Sequence, residues 1–405
     1  DMPVANTGPL HQAEYAKYAD ASKLALTIVG VTAEDADADT AVDDLVMRFT
    51  ATKSGVTQTA AQVNAMAQKR FYAQGYTSAE RAFNKAENIA FSSTVVDAGG
   101  GVLKVSVNNK TLPANAEAYA YIADGKLDTE GMTLYDDVAN AGMAFGDAAS
   151  YQSAANVSAC ETCHGKPYMK HGYRMAKVSN LADFAACKTC HMDDYPGGHR
   201  DWQILKDNPA RYAELDAGAT QTAEEIAKYA YTRKLMNDVH MSHAMEFPYP
   251  QAMQSCVTCH AGKMGDTAAN DIFADDKFKA STCVSCHSVD GLKTKMTVKT
   301  STKAAITIHD TFIAKMDDPA QRDTVACTNC HGKVAGIGPS FKSIHKNGYD
   351  PKIYATDGTR YSDTFVVTID SATVTNNVLD IKFSATGSHG TLSAANITPT
   401  ILIGL

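Results

Sequence analysis

Every cysteine in the chain falls into one pattern. Cys-x-x-Cys-His occurs five times, as Cys160/Cys163/His164, Cys187/Cys190/His191, Cys256/Cys259/His260, Cys283/Cys286/His287 and Cys327/Cys330/His331, and this uses all 10 cysteines. Two thiols three residues apart, followed at once by an imidazole, suit covalent attachment of haem c. The sulfurs add across the two vinyl groups, and the adjoining histidine is carried under the ring to bind iron. A redox dithiol or half of a zinc site can show one such motif. Disulfide pairing of the cysteines explains neither the spacing nor the histidine that always follows, so five covalent haems are expected.

Iron held by a motif histidine on one side needs a ligand on the other. Between and just after the motifs lie six further histidines, His171, His199, His240, His243, His309 and His345. That is about one per haem, the number bis-histidine ligation requires. His240 and His243 stand at i and i+3 in Arg233 to Ala244, where a helix is expected. Both rings then leave one face and serve two neighbouring haems. Met241 and Met245 beside them leave a methionine–histidine site open as the alternative, although methionine is more often core filling.

These residues must be positioned by very little chain. From Cys160 to His345 the sequence spends roughly forty residues per haem, too few for a separate aliphatic core, so short helices and loops wrapped around porphyrin are expected. Cys160 and Cys187 are 27 residues apart, and so are Cys256 and Cys283. The flanks Cys-Glu-Thr-Cys-His-Gly-Lys at 160 and Cys-Thr-Asn-Cys-His-Gly-Lys at 327 echo each other, which suggests duplicated units.

The region before the motifs reads differently. Lys23 to Thr32, Asp44 to Ala51, Phe91 to Asp97, Gly101 to Asn108 and Ala114 to Ala123 are strand-like, rich in β-branched and aromatic residues and bounded by Gly, Asp or Asn. Thr59 to Tyr72 and Ser78 to Asn88 are alanine-rich with apolar residues at helical spacing, so two helices inserted into the β-domain are expected. The expected fold is multidomain: a β-sandwich or split barrel with a helical insertion over residues 1–155, a haem-packed helix and coil domain over 156–350, and β-strands over 351–405. In the last part Thr364 to Asp370, Asn377 to Ala385 and Ile397 to Leu405 read as strands. Three strands are too few to close a sandwich, so they are expected to begin a further β-domain or to pair with a sheet elsewhere.

Two other features invite weaker readings. The acidic run Glu34, Asp35, Asp37, Asp39, Asp43 and Asp44 lacks the glycine and closing glutamate of an EF-hand and is read as a solvated turn. His11 is read as an exposed tail histidine.

The net charge of -8 over 405 residues makes nucleic acid an unsuitable partner. Haem propionates take the total to roughly -13. Thioether attachment takes place outside the bacterial cytoplasm, so the chain is expected to be exported, at the cell surface or in the periplasm. The apolar run near Leu24 to Val31 is too short to span a bilayer. No cysteine precedes Cys160, so a lipid on an N-terminal cysteine is not expected for the chain as written.

The order of these signals resembles one pentahaem domain of the outer-membrane decahaem c-type cytochromes of metal-reducing bacteria. The shared run is a first Cys-x-x-Cys-His, His171-Gly-Tyr-Arg, a second motif, His240-Met-Ser-His243, Tyr249-Pro250-Gln251 and then Cys256. The resemblance covers most of the chain, since those proteins alternate β-domains with pentahaem domains. It implies extracellular electron transfer along a chain of six-coordinate haems toward minerals, metals, flavins or partner cytochromes of an outer-membrane conduit. It also implies His171, His240, His243, His309 and His345 as the distal ligands, while His199 has no counterpart. The family's second pentahaem domain and lipid-bearing cysteine have no match here.

Two other function classes compete with an electron carrier. A pentahaem reductase of the nitrite-reductase kind binds its catalytic iron through a Cys-x-x-Cys-Lys motif, whereas all five motifs here end in histidine, so no dedicated catalytic residue is expected. A protomer of a polymeric cytochrome wire would use a spare histidine such as His11, His199 or His389 to complete a haem site in the next subunit.

Overall fold

The structure is a computed structural model. It describes residues 23–129, 132–164, 166–193, 200–229, 256–264, 271–274, 278–284, 287–296, 309–332, 338–345, 359 and 361–387.

Strand β1 (Leu24–Glu34) buries Leu24, Leu26 and Ile28 and exposes the residues between them, the two-residue period of a half-buried strand. There follow β2 (Asp44–Lys53), β3 (Val56–Thr57), helix α1 (Ala60–Ala65), β4 (Gln68–Thr77), β5 (Ala82–Ala90), β6 (Val96–Gly99), β7 (Val102–Val107), β8 (Ala116–Thr129) and β9 (Met132–Phe145). They form two antiparallel sheets. One has the order β1-β2-β7-β6 with β3 added on β2, and the other has the order β5-β4-β8-β9. Leu26, Met47, Phe49 and Leu103 from the first sheet share one core with Phe71, Ala118, Ala120 and Ile122 from the second. The Phe49 and Phe71 rings meet across it at 4.8 Å. Each of those two rings contributes about 2–3 kcal/mol by burial.

The sandwich expectation therefore stands, and the helical insertion is corrected. Thr59 does cap a helix, through a reciprocal pair with Gln62, but that helix ends at Ala65. Residues 68–77 then pair with β8 as a strand, from Gln68↔Ala123 to Gly75↔Ala116. The second expected helix, Ser78 to Asn88, is absent. Its Ser-Ala-Glu start forms a tight turn closed by Arg81 N–H to Ser78 O at 3.3 Å, and Ala82–Ala90 returns as β5 against β4. Pairing with an open sheet edge buries Phe83 and Ile89 while using the backbone amides, which outweighs the helix preference of alanine. The strand expected at Phe91 to Asp97 begins only at Val96. Strand β9 was not foreseen.

Both faces of β8 are buried. Ala118, Ala120 and Ile122 face the sandwich core, whereas Tyr119 and Tyr121 face the other way and pack with Val178 and Ala186. The second sheet is therefore covered on its outer face by the chain that carries the first two motifs.

That chain runs through α2 (Val157–His164), the hairpin β10 (Met169–Lys170) and β11 (Arg174–Met175), and α3 (Ala185–Lys188). It continues through α4 (Arg200–Asp207), α5 (Pro209–Asp216), α6 (Ala223–Lys228), α7 (Val257–His260), α8 (Ala280–Cys283), α9 (Val289–Met296), α10 (Pro319–Arg322), α11 (Thr328–His331) and α12 (Phe341–Ile344). The longest of these has 8 residues. A small satellite core of Ile204, Tyr229, Val284, Val289, Leu292 and Met316 ties α4 to α8 and α9. Among the described residues no helix is long and apolar enough to cross a membrane.

After α13 (Tyr361–Thr364) the chain forms the hairpin of β12 (Phe365–Thr375) and β13 (Val378–Gly387), paired only with each other among the described strands. Both strands were expected. Val366, Val367, Ile369, Val374, Val378 and Leu379 on it are exposed. The segment Ile397 to Leu405 lies outside the described residues.

Candidate functional site

The spacing of each motif is the spacing of one helical turn. The His191 amide donates to the Cys187 carbonyl at 3.0 Å, His260 to Cys256 at 2.9 Å, His287 to Cys283 at 2.9 Å and His331 to Cys327 at 3.0 Å. An i to i+4 bond of this kind places residues i, i+3 and i+4 on one side of the turn, so in the second and fifth motifs both thiols and the imidazole leave together. The first motif closes α2 in the same way, with Cys160, Cys163 and His164 in its final turns. Cys160, Cys187, Cys190, Cys256, Cys283, Cys327 and Cys330 are not disulfide-bonded. The side chains of Cys163, His164, Cys259 and Cys286 lie outside the described residues.

Backbone carbonyls orient three of the imidazoles. The Nδ1–H of His260 donates to Ala154 O at 2.7 Å, that of His331 to Pro339 O at 2.8 Å and that of His345 to Phe341 O at 2.9 Å. With Nδ1 protonated, the lone pair sits on Nε2, the atom that a metal then takes. Burial also holds His260 below its usual range and so favours the neutral ring.

Two pairs of imidazoles lie close together. The His309 and His331 ring centres lie 6.3 Å apart with planes 19° from parallel, and those of His287 and His345 lie 6.2 Å apart at 39°. Two metal–imidazole bonds of about 2 Å each, with the ring radii added, put the centres of trans ligands about 6 Å apart. Two imidazoles at that separation are a donor set that suits iron, and the fold brings each pair together from separate stretches of chain. Phe278 and Phe341 stack at 4.6 Å between the two pairs, Phe278 edge-on to His331 and Phe341 edge-on to His345. Gly338 leaves room for the imidazole of His331, which a Cβ there would strike, and its amide donates to Cys330 O at 2.8 Å.

His171 sits at the tip of the β10–β11 hairpin, exposed, with φ +58. Partial burial, with the charges of Arg174 and Lys170, holds it below the ordinary histidine value, so it is neutral and ligand-competent at pH 7. His240, His243, His199, His11 and His389, with Met241 and Met245, lie outside the described residues.

The second motif is pinned to the sandwich. Phe83 N–H donates to Asp193 Oδ2 at 2.9 Å, Asp193 N–H to Phe83 O at 2.8 Å, Asn88 Nδ2 to Thr189 O at 2.9 Å and Asn140 Nδ2 to Tyr173 O at 3.0 Å. Lys188 pairs with Asp193. The fourth motif is braced by the buried side chain of Gln203, which donates to Val284 O at 2.7 Å and accepts from Val289 N–H at 2.9 Å. Asn156 Nδ2, just before the first motif, donates to Ala261 O just after the third at 2.6 Å. None of these bracing residues carried a sequence signal, since an amide side chain earns its role only from the carbonyl it meets.

The acidic run behaves as a turn. Asp44 is buried and accepts the amides of Ala36, Asp37 and Asn109 at 2.8–3.0 Å. Asp35 and Asp39 likewise cap Thr40 and Ala41.

Residues 152–346 match the family described as outer membrane cytochrome MtrC/MtrF-like, domains II/IV. No curated protein and no solved structure matches the chain.

Proposed function

We propose, from the match of residues 152–346 to the family described as outer membrane cytochrome MtrC/MtrF-like, domains II/IV, that this protein is exported to the cell surface and conducts electrons through five bis-histidine haems c toward an extracellular acceptor or a partner cytochrome. Each haem, when bound, supplies a one-electron ferric/ferrous couple. The chain's own residues do the rest. Each motif's helical turn would aim two thiols and one imidazole at the same ring, and the carbonyl acceptors of His260, His331 and His345 leave Nε2 free for a metal. A second imidazole would close the other face and keep water and substrates from the metal, which favours conduction over bond-making chemistry.

The observation that carries the proposal is the two close pairs of imidazoles, His309 with His331 and His287 with His345, whose ring centres lie 6.3 Å and 6.2 Å apart. His171, His240 and His243 are the remaining distal ligands of the proposal. The division at 1–155, 156–350 and 351–405 belongs to it as well, with the exposed β12–β13 hairpin as part of a further β-unit. The test is stoichiometry and coordination. Denatured protein should keep its colour and weigh about 3 kDa more than the 43.2 kDa polypeptide, from five haems on ten thioethers. The reduced protein should bind no carbon monoxide. Fewer than five haems, or carbon monoxide binding by the intact protein, would overturn the reading.

A further inference from the structure

We infer that Arg174 is a positioning residue that sets the reduction potential of the haem attached through Cys187 and Cys190. The inference rests on the haem reading proposed above.

Arg174 lies on β11, against the outer face of the sheet β5-β4-β8-β9. Its Nη1 is 3.2 Å from the Sγ of Cys190. Its Nη2 donates to Tyr121 Oη at 3.1 Å and to Tyr72 Oη at 3.4 Å. The guanidinium also lies over three aromatic rings, 4.7 Å from the centre of Tyr121, 5.7 Å from Tyr72 and 5.9 Å from Tyr173. Tyr121 and Tyr173 stack on each other at 4.8 Å, so the cage is itself rigid. Stacking and forked hydrogen bonding use the planar shape of arginine, which lysine lacks.

Two features make this more than packing. Among the described residues no carboxylate is among the groups that act on Arg174, and burial pushes up the two phenols that accept from it, so its positive charge is not cancelled locally. The group it touches is also the attachment sulfur itself. A thioether sulfur lies one bond from the carbon that joins the porphyrin, so a cation held on that sulfur is held at the ring edge.

Reduction adds one electron to the iron and lowers the net charge of the haem by one, with no bond made or broken. A fixed cation at the ring edge therefore stabilises the reduced form over the oxidised one. Cys190 is exposed, so water screens part of the effect. About a tenfold change in the ratio of reduced to oxidised haem at fixed potential is expected, equivalent to 59 mV for one electron.

The test compares the purified full-length protein with Arg174→Gln, Arg174→Met and Arg174→Lys. Haems are counted as the pyridine haemochrome, and the couples are resolved by mediated spectroelectrochemical titration. The expected result is five haems throughout, one couple lowered about tenfold in both neutral variants, and that couple mostly retained in the lysine variant. Unchanged couples in the neutral variants would overturn the inference. So would an equal loss in the lysine variant, since that would assign the effect to packing rather than charge. A parent protein with fewer than five haems would instead overturn the haem reading, and the count shows which has failed.

Discussion

Replacing Glu117 with glutamine should stabilise the protein at high pH and leave it nearly unchanged at low pH. Glu117 projects from β8 beneath the second motif and is 1 % exposed. Burial pushes its carboxyl from 4.5 up to about 8, opposed by a hydrogen bond from Gln74 and by the charge of Lys188. The Nε2 of Gln74 donates to Glu117, and the Oε1 of Gln74 is buried without a partner. A protonated Glu117 supplies the missing donor, since its hydroxyl can return a hydrogen bond to that oxygen. The folded state therefore holds a proton that the unfolded chain releases above pH 4.5. Because the folded value is the raised one, this group's contribution is fully present below pH 4.5 and is lost as the pH rises through about 8. A shift of that size corresponds to about 5 kcal/mol above pH 8, at 1.36 kcal/mol per unit. Glutamine keeps the shape and the hydrogen bonds and never ionises. The melting temperatures of Glu117→Gln and parent should nearly coincide at pH 5 and separate by about 10 °C at pH 9, with the variant higher. Reading the difference between the two proteins removes other titrating groups from the comparison. A separation that does not change between pH 5 and pH 9 would show that Glu117 is not a buried neutral acid.

Three further outcomes follow from the geometry. His345→Ala should open one iron, so that the reduced variant binds about one carbon monoxide per chain in a difference spectrum where the parent binds none; no binding would remove His345 from the ligands. Gly338→Ala should drive a methyl group into the imidazole of His331, costing about 1–3 kcal/mol and turning one low-spin haem signal high-spin in the electron paramagnetic resonance spectrum. An unaltered spectrum would mean the ring has room to move. Asp44→Ala should leave three backbone amides without their acceptor and cost about 2–4 kcal/mol in denaturant unfolding of the sandwich, with haem content unchanged.

The geometry of the Cys-x-x-Cys-His turns was legible because it is local. Cysteine, cysteine and histidine at i, i+3 and i+4 meet through one i to i+4 hydrogen bond, so reading the motif amounts to reading the turn. Strands β1, β2, β7, β12 and β13 were legible for a similar reason, since their alternation and their bounding turns lie within a few residues. The local signal failed at Ala82–Ala90, where alanine favours a helix but the free edge of β4 offers partners for every other amide. Tertiary structure alone decided which histidine lies close to which motif. His309 precedes His331 by 22 residues and His345 follows His287 by 58, and nothing in either interval states the pairing. The same holds for Arg174 against Cys190 and for Glu117 beneath Lys188, whose charge and protonation depend on what covers the outer face of β8. Covalent spacing is written along the chain, whereas a facing ligand or a buried charge is set by whatever the fold brings within a few ångströms of it.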